Sequence, residues 1–141
     1  MTTNRRRSTF ERRPFSVLVV EDHPDTREMY ASYFKAHGFR AFTASDGGAA
    51  ISVALAERPS VIVMDLSLPH IDGWEATRRL KHHPSTSEIP IVACSAHVLS
   101  GATERALDVG CDVFLAKPCL PEDLLAEVRA VLRRPPVRRR A

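Results

Sequence analysis

The chain has 141 residues, 44% of them apolar, enough for the core of one domain of ordinary size and too few for two. Its formal net charge of +3 is unevenly placed: residues 1–14 hold five arginines and one acid, residues 133–141 hold five arginines, and the stretch between them therefore carries −6. No run approaches the ~20 apolar residues of a membrane span, no apolar secretory core opens the chain, and Cys94, Cys111 and Cys119 make no disulfide pattern, so reduced structural thiols in a cytoplasmic protein are expected.

Residues 1–14 are polar, arginine-rich and aperiodic, and are read as a disordered tail. Ser16–Val20 is a short apolar run ending at Glu21-Asp22, which predicts a buried strand. Pro24 suits the first turn of a helix that runs to about His37, with Met29, Tyr30, Tyr33 and Ala36 expected on one face and Gly38 as its stop. Phe39–Thr43 reads as a second strand. Asp46 can cap a helix of small residues that ends before Pro59, and Val61–Met64 is a third apolar run, ending at Asp65.

Asp72, with Glu75 three residues on, resembles a capping box opening a helix to about His82. Ile89–Cys94 predicts a fourth strand, ending at Ser95. Ser100 can cap a short helix that Gly110 ends. Val113–Ala116 predicts a fifth strand, ending at Lys117-Pro118. The last helix places Leu124, Leu125, Val128, Val131 and Leu132 at helical spacing; Leu120 is a poor cap for it, but Pro121, Glu122 and Asp123 suit a first turn. Pro135-Pro136 closes the domain, giving a folded unit at 15–134 and a second basic tail at 135–141. Five strands alternating with five helices predict a parallel sheet covered on both faces, with right-handed crossovers.

In such a sheet the ligand site lies beyond the carboxyl ends of the strands. The polar residues fall there: Glu21-Asp22 after strand one, Asp65 after strand three, Ser95 after strand four and Lys117 after strand five. Three carboxylates close together repel, and a proton or a divalent cation relieves the repulsion. An all-oxygen set suits Mg²⁺. A carboxylate can attack phosphorus to give an aspartyl phosphate. The metal and Lys117 would offset charge on the phosphoryl oxygens, and Ser95 can donate a hydrogen bond to them.

Glu21-Asp22, Met64-Asp65-Leu-Ser-Leu-Pro69, Asp72-Gly73, Ser95-Ala96 and Phe114-Leu-Ala-Lys117-Pro118 resemble, in order and spacing, the receiver domain of two-component response regulators, over about Phe15 to Arg134. The resemblance implies a flavodoxin-like α/β fold with strand order 2-1-3-4-5. It implies that Asp65 takes a phosphoryl group from the phosphohistidine of a histidine kinase or histidine phosphotransfer protein. It assigns Mg²⁺ to Glu21, Asp22, Asp65 and the backbone carbonyl of Ser67, and makes Ser95 and Phe114 a switch pair. Serine stands where threonine is commoner and phenylalanine where tyrosine is commoner. A signalling switch rather than an enzyme is implied. Its downstream partner, or a second copy, would bind the face made by the fourth helix, fifth strand and fifth helix.

Each residue also has a plainer reading. Glu21 and Asp22 can cap the first helix, Asp65 can be a turn residue, Lys117 a solvated charge, Ser95 an ordinary strand-end residue and Phe114 ordinary core. His70, His82, His83 and His97 lack ligand spacing and are expected on the surface, with His97 placed to overlie the phosphate. Trp74 opens a helix beside the site and is expected to pack partly there. No output domain follows Arg134, so action through a partner is expected. The competing readings are a receiver cut from a longer regulator or hybrid kinase, a nucleic-acid-binding protein acting through its arginine tails, which salt-dependent binding would reveal, and a hydrolase with Asp65 as nucleophile, which turnover of a phosphate ester would reveal.

Overall fold

The computed structural model describes residues 14–68, 70–96 and 101–134. The tails at 1–13 and 135–141, Pro69, His97 and the predicted cap Ser100 lie outside the described residues. The strands are β1 (Ser16–Val20), β2 (Arg40–Ala44), β3 (Val61–Asp65), β4 (Ile91–Ser95) and β5 (Val113–Ala116), and the helices are α1 (Pro24–Ala36), α2 (Gly47–Glu57), α3 (Gly73–His82), α4 (Ala102–Asp108) and α5 (Pro121–Arg133). All strand pairs are parallel, in the order β2-β1-β3-β4-β5. The expected doubly wound arrangement is therefore present.

The three inner strands read as unbroken apolar runs because both of their faces are covered. Their residues are buried almost throughout, whereas the edge strands β2 and β5 are only partly so. Alternate side chains feed two cores. Leu18, Val20, Ile62, Met64, Ile91 and Ala93 pack with residues of α2, α3 and α4. Val17, Val19, Val61, Val63, Val92 and Cys94 pack on the other face with Tyr30 and Phe34 of α1 and Leu124, Leu125, Val128 and Val131 of α5. Each large aliphatic or aromatic side chain so buried stabilises the fold by about 1.5–3 kcal/mol before the entropy of ordering it is counted.

Helix α1 buries Tyr30, Ala31 and Phe34. The expected face, with Met29 and Ala36 inward, is turned by about one residue, or roughly 100° at 3.6 residues per turn: Met29 is 43% exposed. Its cap is His23, whose Nδ1 accepts weakly from the Thr26 N–H at 3.5 Å, and neither Glu21 nor Asp22 serves. Gly38, at φ +91°, ends the helix as expected. Asp46 caps α2 through the Ala49 N–H at 2.8 Å, and Asp72 caps α3 through the Glu75 N–H at 2.9 Å. The Glu75 carboxylate turns to Arg78 and Arg79 instead of completing a capping box.

Strand β4 starts two residues later than its apolar run. The Ile89 N–H is spent in a turn on Thr86 O, and Pro90 has no N–H to give. At this end of the sheet, far from the strands' carboxyl termini, the ammonium of Lys81 is buried. It donates to Ile89 O at 2.6 Å and pairs with Asp112, whose carboxylate also accepts from the Ile91 N–H at 2.8 Å. That network fastens α3 to the start of β4 and β5.

Candidate phosphoacceptor site

Parallel strands bring their carboxyl ends to one edge, and the predicted residues gather there. Glu21 and Asp22 follow β1, Asp65 closes β3, Ser95 closes β4 and Lys117 follows β5. Glu21 and Asp65 are buried and Asp22 is exposed, yet carboxylate oxygens of all three lie within 4.8 Å of one another. Lys117 bridges two of them: Nζ donates to Glu21 Oε1 at 2.6 Å and to Asp65 Oδ2 at 3.2 Å. Burial by itself would lower the Lys117 pKa, but the hydrogen bond to Glu21 and the charges of Asp65 and Glu21 outweigh it and raise it above the usual lysine value. Lys117 is therefore a fixed cation, and the Lys117–Pro118 peptide after it is cis.

Backbone donors set the two buried carboxylates. The Ser67 N–H donates to Asp65 Oδ1 at 2.9 Å, and the His23 N–H donates to Glu21 Oε2 at 3.1 Å. Each acid thus has one oxygen on a backbone N–H and the other on Lys117. The Ser95 hydroxyl is buried and stands 3.4 Å from the Ser67 hydroxyl, a long contact. Phe114, on β5 opposite Ala93, is partly buried against the core on the α2–α4 side.

Four features escaped the sequence reading. Arg27 Nη1 donates to Glu21 O at 2.9 Å and Asp22 O at 3.4 Å, clamping the acidic pair from α1. A cation near a helix N-terminus opposes the macrodipole, and that mismatch was the available signal. The Ser67 side chain reaches Ser95, whereas only the Ser67 carbonyl was expected to matter. Gly73 lies so close to Asp65 that an added Cβ would collide with Asp65 O and Leu66 Cα. Tyr30 donates from its hydroxyl to Cys119 O at 2.8 Å, and burial, followed by the nearby Cys94 and Cys119, pushes its pKa up to about 12.

The remaining sequence candidates lie apart. His70, His82 and His83 are exposed, and among the described residues the Glu21–Asp22–Asp65 cluster is the one group with metal-ligand spacing. Trp74 stacks under the Arg105 guanidinium, 4.4 Å from the ring centroid, and so links α3 to α4. The three acids supply hard oxygen donors with one exposed member, which fits a small hard cation such as Mg²⁺ and would suit a soft metal poorly. No helix among the described residues is long and apolar enough to cross a membrane.

An acid triad and a bridging lysine at the carboxyl edge of a five-stranded parallel sheet define a receiver-like site. The response regulator receiver domain profile matches residues 17–129, and the chain belongs to that family of two-component signalling proteins. It is 29% identical to the polar-differentiation response regulator DivK of Brucella anthropi, over 84% of this chain and 97% of DivK. It is 34% identical to the response regulator MprA of Mycolicibacterium vanbaalenii, over 86% of this chain and 52% of MprA, so it spans about half of that relative. Among solved structures it resembles the receiver domain of the sensor histidine kinase PA1611 from Pseudomonas aeruginosa (TM-score 0.77, 30% identity, 85% of this chain and 98% of that one). That structure carries a magnesium ion in its active-site cleft.

Proposed function

We propose that this chain is the phosphoacceptor of a two-component or phosphorelay system, taking a phosphoryl group on Asp65 in the presence of Mg²⁺ and switching a partner-binding face. The observation that carries this reading is the convergence of three carboxylates within 4.8 Å, two of them buried and bridged by one lysine. Surface acids do not need such an arrangement. An acceptor that must gain further negative charge does.

An Asp65 carboxylate oxygen forms a bond to phosphorus as the P–N bond of a phosphohistidine breaks. The electron pair leaves on the imidazole, which takes up a proton. The Ser67 N–H fixes the carboxylate plane, and Lys117 stands beside the oxygen that it already contacts. Glu21 holds Lys117 in place, and Arg27 holds the backbone of Glu21 and Asp22. Mg²⁺ held by Glu21, Asp22, Asp65 and the Ser67 carbonyl would supply the positive charge that the phosphoryl oxygens require. The donor is a histidine kinase or histidine phosphotransfer protein.

The Ser95 hydroxyl then turns from Ser67 toward the phosphoryl group, and Phe114 moves into the space beside β4. The face of α4, β5 and α5 changes shape and engages a downstream protein or a second copy. Residues 15–134 carry this activity, and the arginine-rich segments 1–14 and 135–141 are dispensable for it; cytoplasmic placement follows from the kinase donor.

The test is mass spectrometry of the full chain, and of residues 14–134, after incubation with a small phosphodonor and Mg²⁺. One acid-labile phosphoryl group on Asp65 in both is expected. An Asp65→Asn protein that gains it at the wild-type rate would overturn the assignment.

A further inference from the structure

At the amino ends of β1 and β2, the pole opposite Asp65, a groove of about 420 Å³ opens between the end of α1 and the last turns of α5. That volume is of the size that holds small organic ligands. Its apolar lining is Phe15, Phe39 and Leu132. Phe39 is 8% exposed, and its ring is held edge-on to Phe34 with centroids 5.3 Å apart, so the floor belongs to the α1–α5 core and is already formed. Phe15 is 55% exposed and forms a wall; its carbonyl accepts from the Arg40 N–H at 3.0 Å, which fixes its backbone. His37 is the wall beside Phe39, its ring fixed by donating from Nδ1 to Tyr33 O at 2.9 Å.

The rim is cationic. Arg129 and Arg133 line it, both exposed, and no carboxylate among the described residues does. The two arginines are four residues apart on α5 and share a face, where like charges repel. Among the described residues neither guanidinium is paired with a carboxylate. A cation in the last turn complements the helix dipole, which accounts for Arg133; Arg129 lies a turn further in. The arginine-rich segments 1–13 and 135–141 join the domain here, through Pro14, which lines the groove, and Arg134, next after Arg133. The positive charge of the chain is therefore gathered at this pole, while the stretch between the tails is acidic.

We propose that this groove binds a small aromatic carboxylate, with its ring against Phe15, Phe39 and Leu132 and its carboxylate on the guanidinium groups of Arg129 and Arg133. Aromatic walls favour a flat ring in offset or edge-on contact. The planar fork of a guanidinium matches the two oxygens of a carboxylate. The bound anion also relieves the repulsion between two like charges on one helix face. A polyanion such as nucleic acid would need only the arginines and would leave the recessed apolar floor unfilled. None of these residues belongs to the Glu21–Asp22–Asp65 cluster, so the inference stands or falls independently of the phosphoacceptor reading.

The experiment is a titration of the full chain with 2-naphthoate, followed by amide NMR shifts. Parallel titrations use 2-naphthalenemethanol, which keeps the ring without the charge, and acetate, which keeps the charge without the ring. Saturable shifts at Phe15, Gly38, Phe39, Leu132 and Arg133 are expected with 2-naphthoate, with Asp65 and Ser95 unmoved. Arg129→Gln and Arg133→Gln should each weaken binding by about three- to fivefold, the reach of a solvent-exposed charge pair, and the neutral alcohol should bind about tenfold more weakly than the acid. Acetate should give no saturable shift over the same range. No saturable shift with 2-naphthoate, shifts confined to other residues, or equal affinity for the acid and the alcohol would each overturn the proposal, including the case in which the chain's own terminal segments fill the groove. The unmutated chain with the three probes decides these outcomes whether or not the variants fold.

Discussion

Replacing Lys117 with methionine keeps much of the side-chain length and removes the cation between Glu21 and Asp65. Those side chains are 4% and 6% exposed, and each would be left with one backbone N–H in place of two donors. Breaking a buried ion pair from one side typically costs about 3–5 kcal/mol. Lys117 is itself 21% exposed, so water can enter where it stood, and we discount the loss to about 2–3 kcal/mol. At roughly 3–5 °C per kcal/mol for a domain of this size, the melting temperature should fall by about 10 °C without added metal. Mg²⁺ can replace the lost positive charge at the same oxygens. It should therefore raise the melting temperature of Lys117→Met by more than it raises that of the unmutated chain. The assay is thermal unfolding of both proteins across a Mg²⁺ titration. An equal metal-induced rise in both, or no loss in the metal-free variant, would refute the reasoning, because Lys117 would then not be neutralising these acids.

Asp22→Ala should weaken Mg²⁺ binding more than Glu21→Ala, because Glu21 is engaged by Lys117 and the His23 N–H while Asp22 stands exposed at the site; calorimetric titration showing the reverse order rejects this. Gly73→Ala should destabilise by about 2–3 kcal/mol, the upper part of the range for overpacking, since its Cβ meets the backbone of Asp65 and Leu66 and not a yielding side chain; denaturant midpoints near the unmutated value would show that α3 can shift freely. Ser95→Ala should still accept the phosphoryl group on Asp65 but leave the Phe114 and α4 resonances unmoved by it, and equal shifts in both proteins would disprove the coupling. Glu75 should titrate at about 2 instead of its ordinary 4.5, chiefly through its hydrogen bonds with Arg78 and then Arg79. Its folded pKa is depressed, so its small, screened contribution is complete above 4.5 and fades as pH falls toward about 2; a carboxyl NMR titration checks this, and high salt should move the midpoint back up.

The sequence revealed most where covalent periodicity and burial agree. Strands β1, β3 and β4 are covered on both faces, so Val17–Val20, Val61–Met64 and Ile91–Cys94 stand out as apolar runs, and the polar residue closing each run marks the site edge. Where local hydrogen bonding decides, the reading drifted: Ile89 is as apolar as Ile91, but its N–H belongs to a turn. The α1 face was misplaced because Met29, Tyr30, Tyr33 and Phe34 leave two adjacent stripes, and only tertiary packing chooses between them. Glu21, Asp22, Asp65, Ser95 and Lys117 were legible because parallel topology alone brings strand ends together. Arg27 and the Ser67 hydroxyl depend on side-chain reach across elements, which has no period in sequence.

The bonds that hold the buried acids are shorter than the contact between the two serine hydroxyls. The 2.6 Å bond of Lys117 to Glu21 and the 2.9 Å bond of the Ser67 N–H to Asp65 are short and largely sheltered from water. The 3.4 Å contact between the Ser67 and Ser95 hydroxyls is at the limit of a hydrogen bond and contributes little. On the proposed reading, a new anionic group on Asp65 would offer Ser95 a charged acceptor, where a hydrogen bond is worth about 1.5–3 kcal/mol. Lys117 already touches Asp65 at 3.2 Å, so it can follow the added charge without releasing Glu21. A full inversion of a two-state equilibrium from 1:99 to 99:1 takes about 5.5 kcal/mol, more than one such bond supplies. On the proposed reading Ser95 would act together with Lys117 and Mg²⁺, and losing Ser95 alone should blunt the switch rather than abolish phosphorylation.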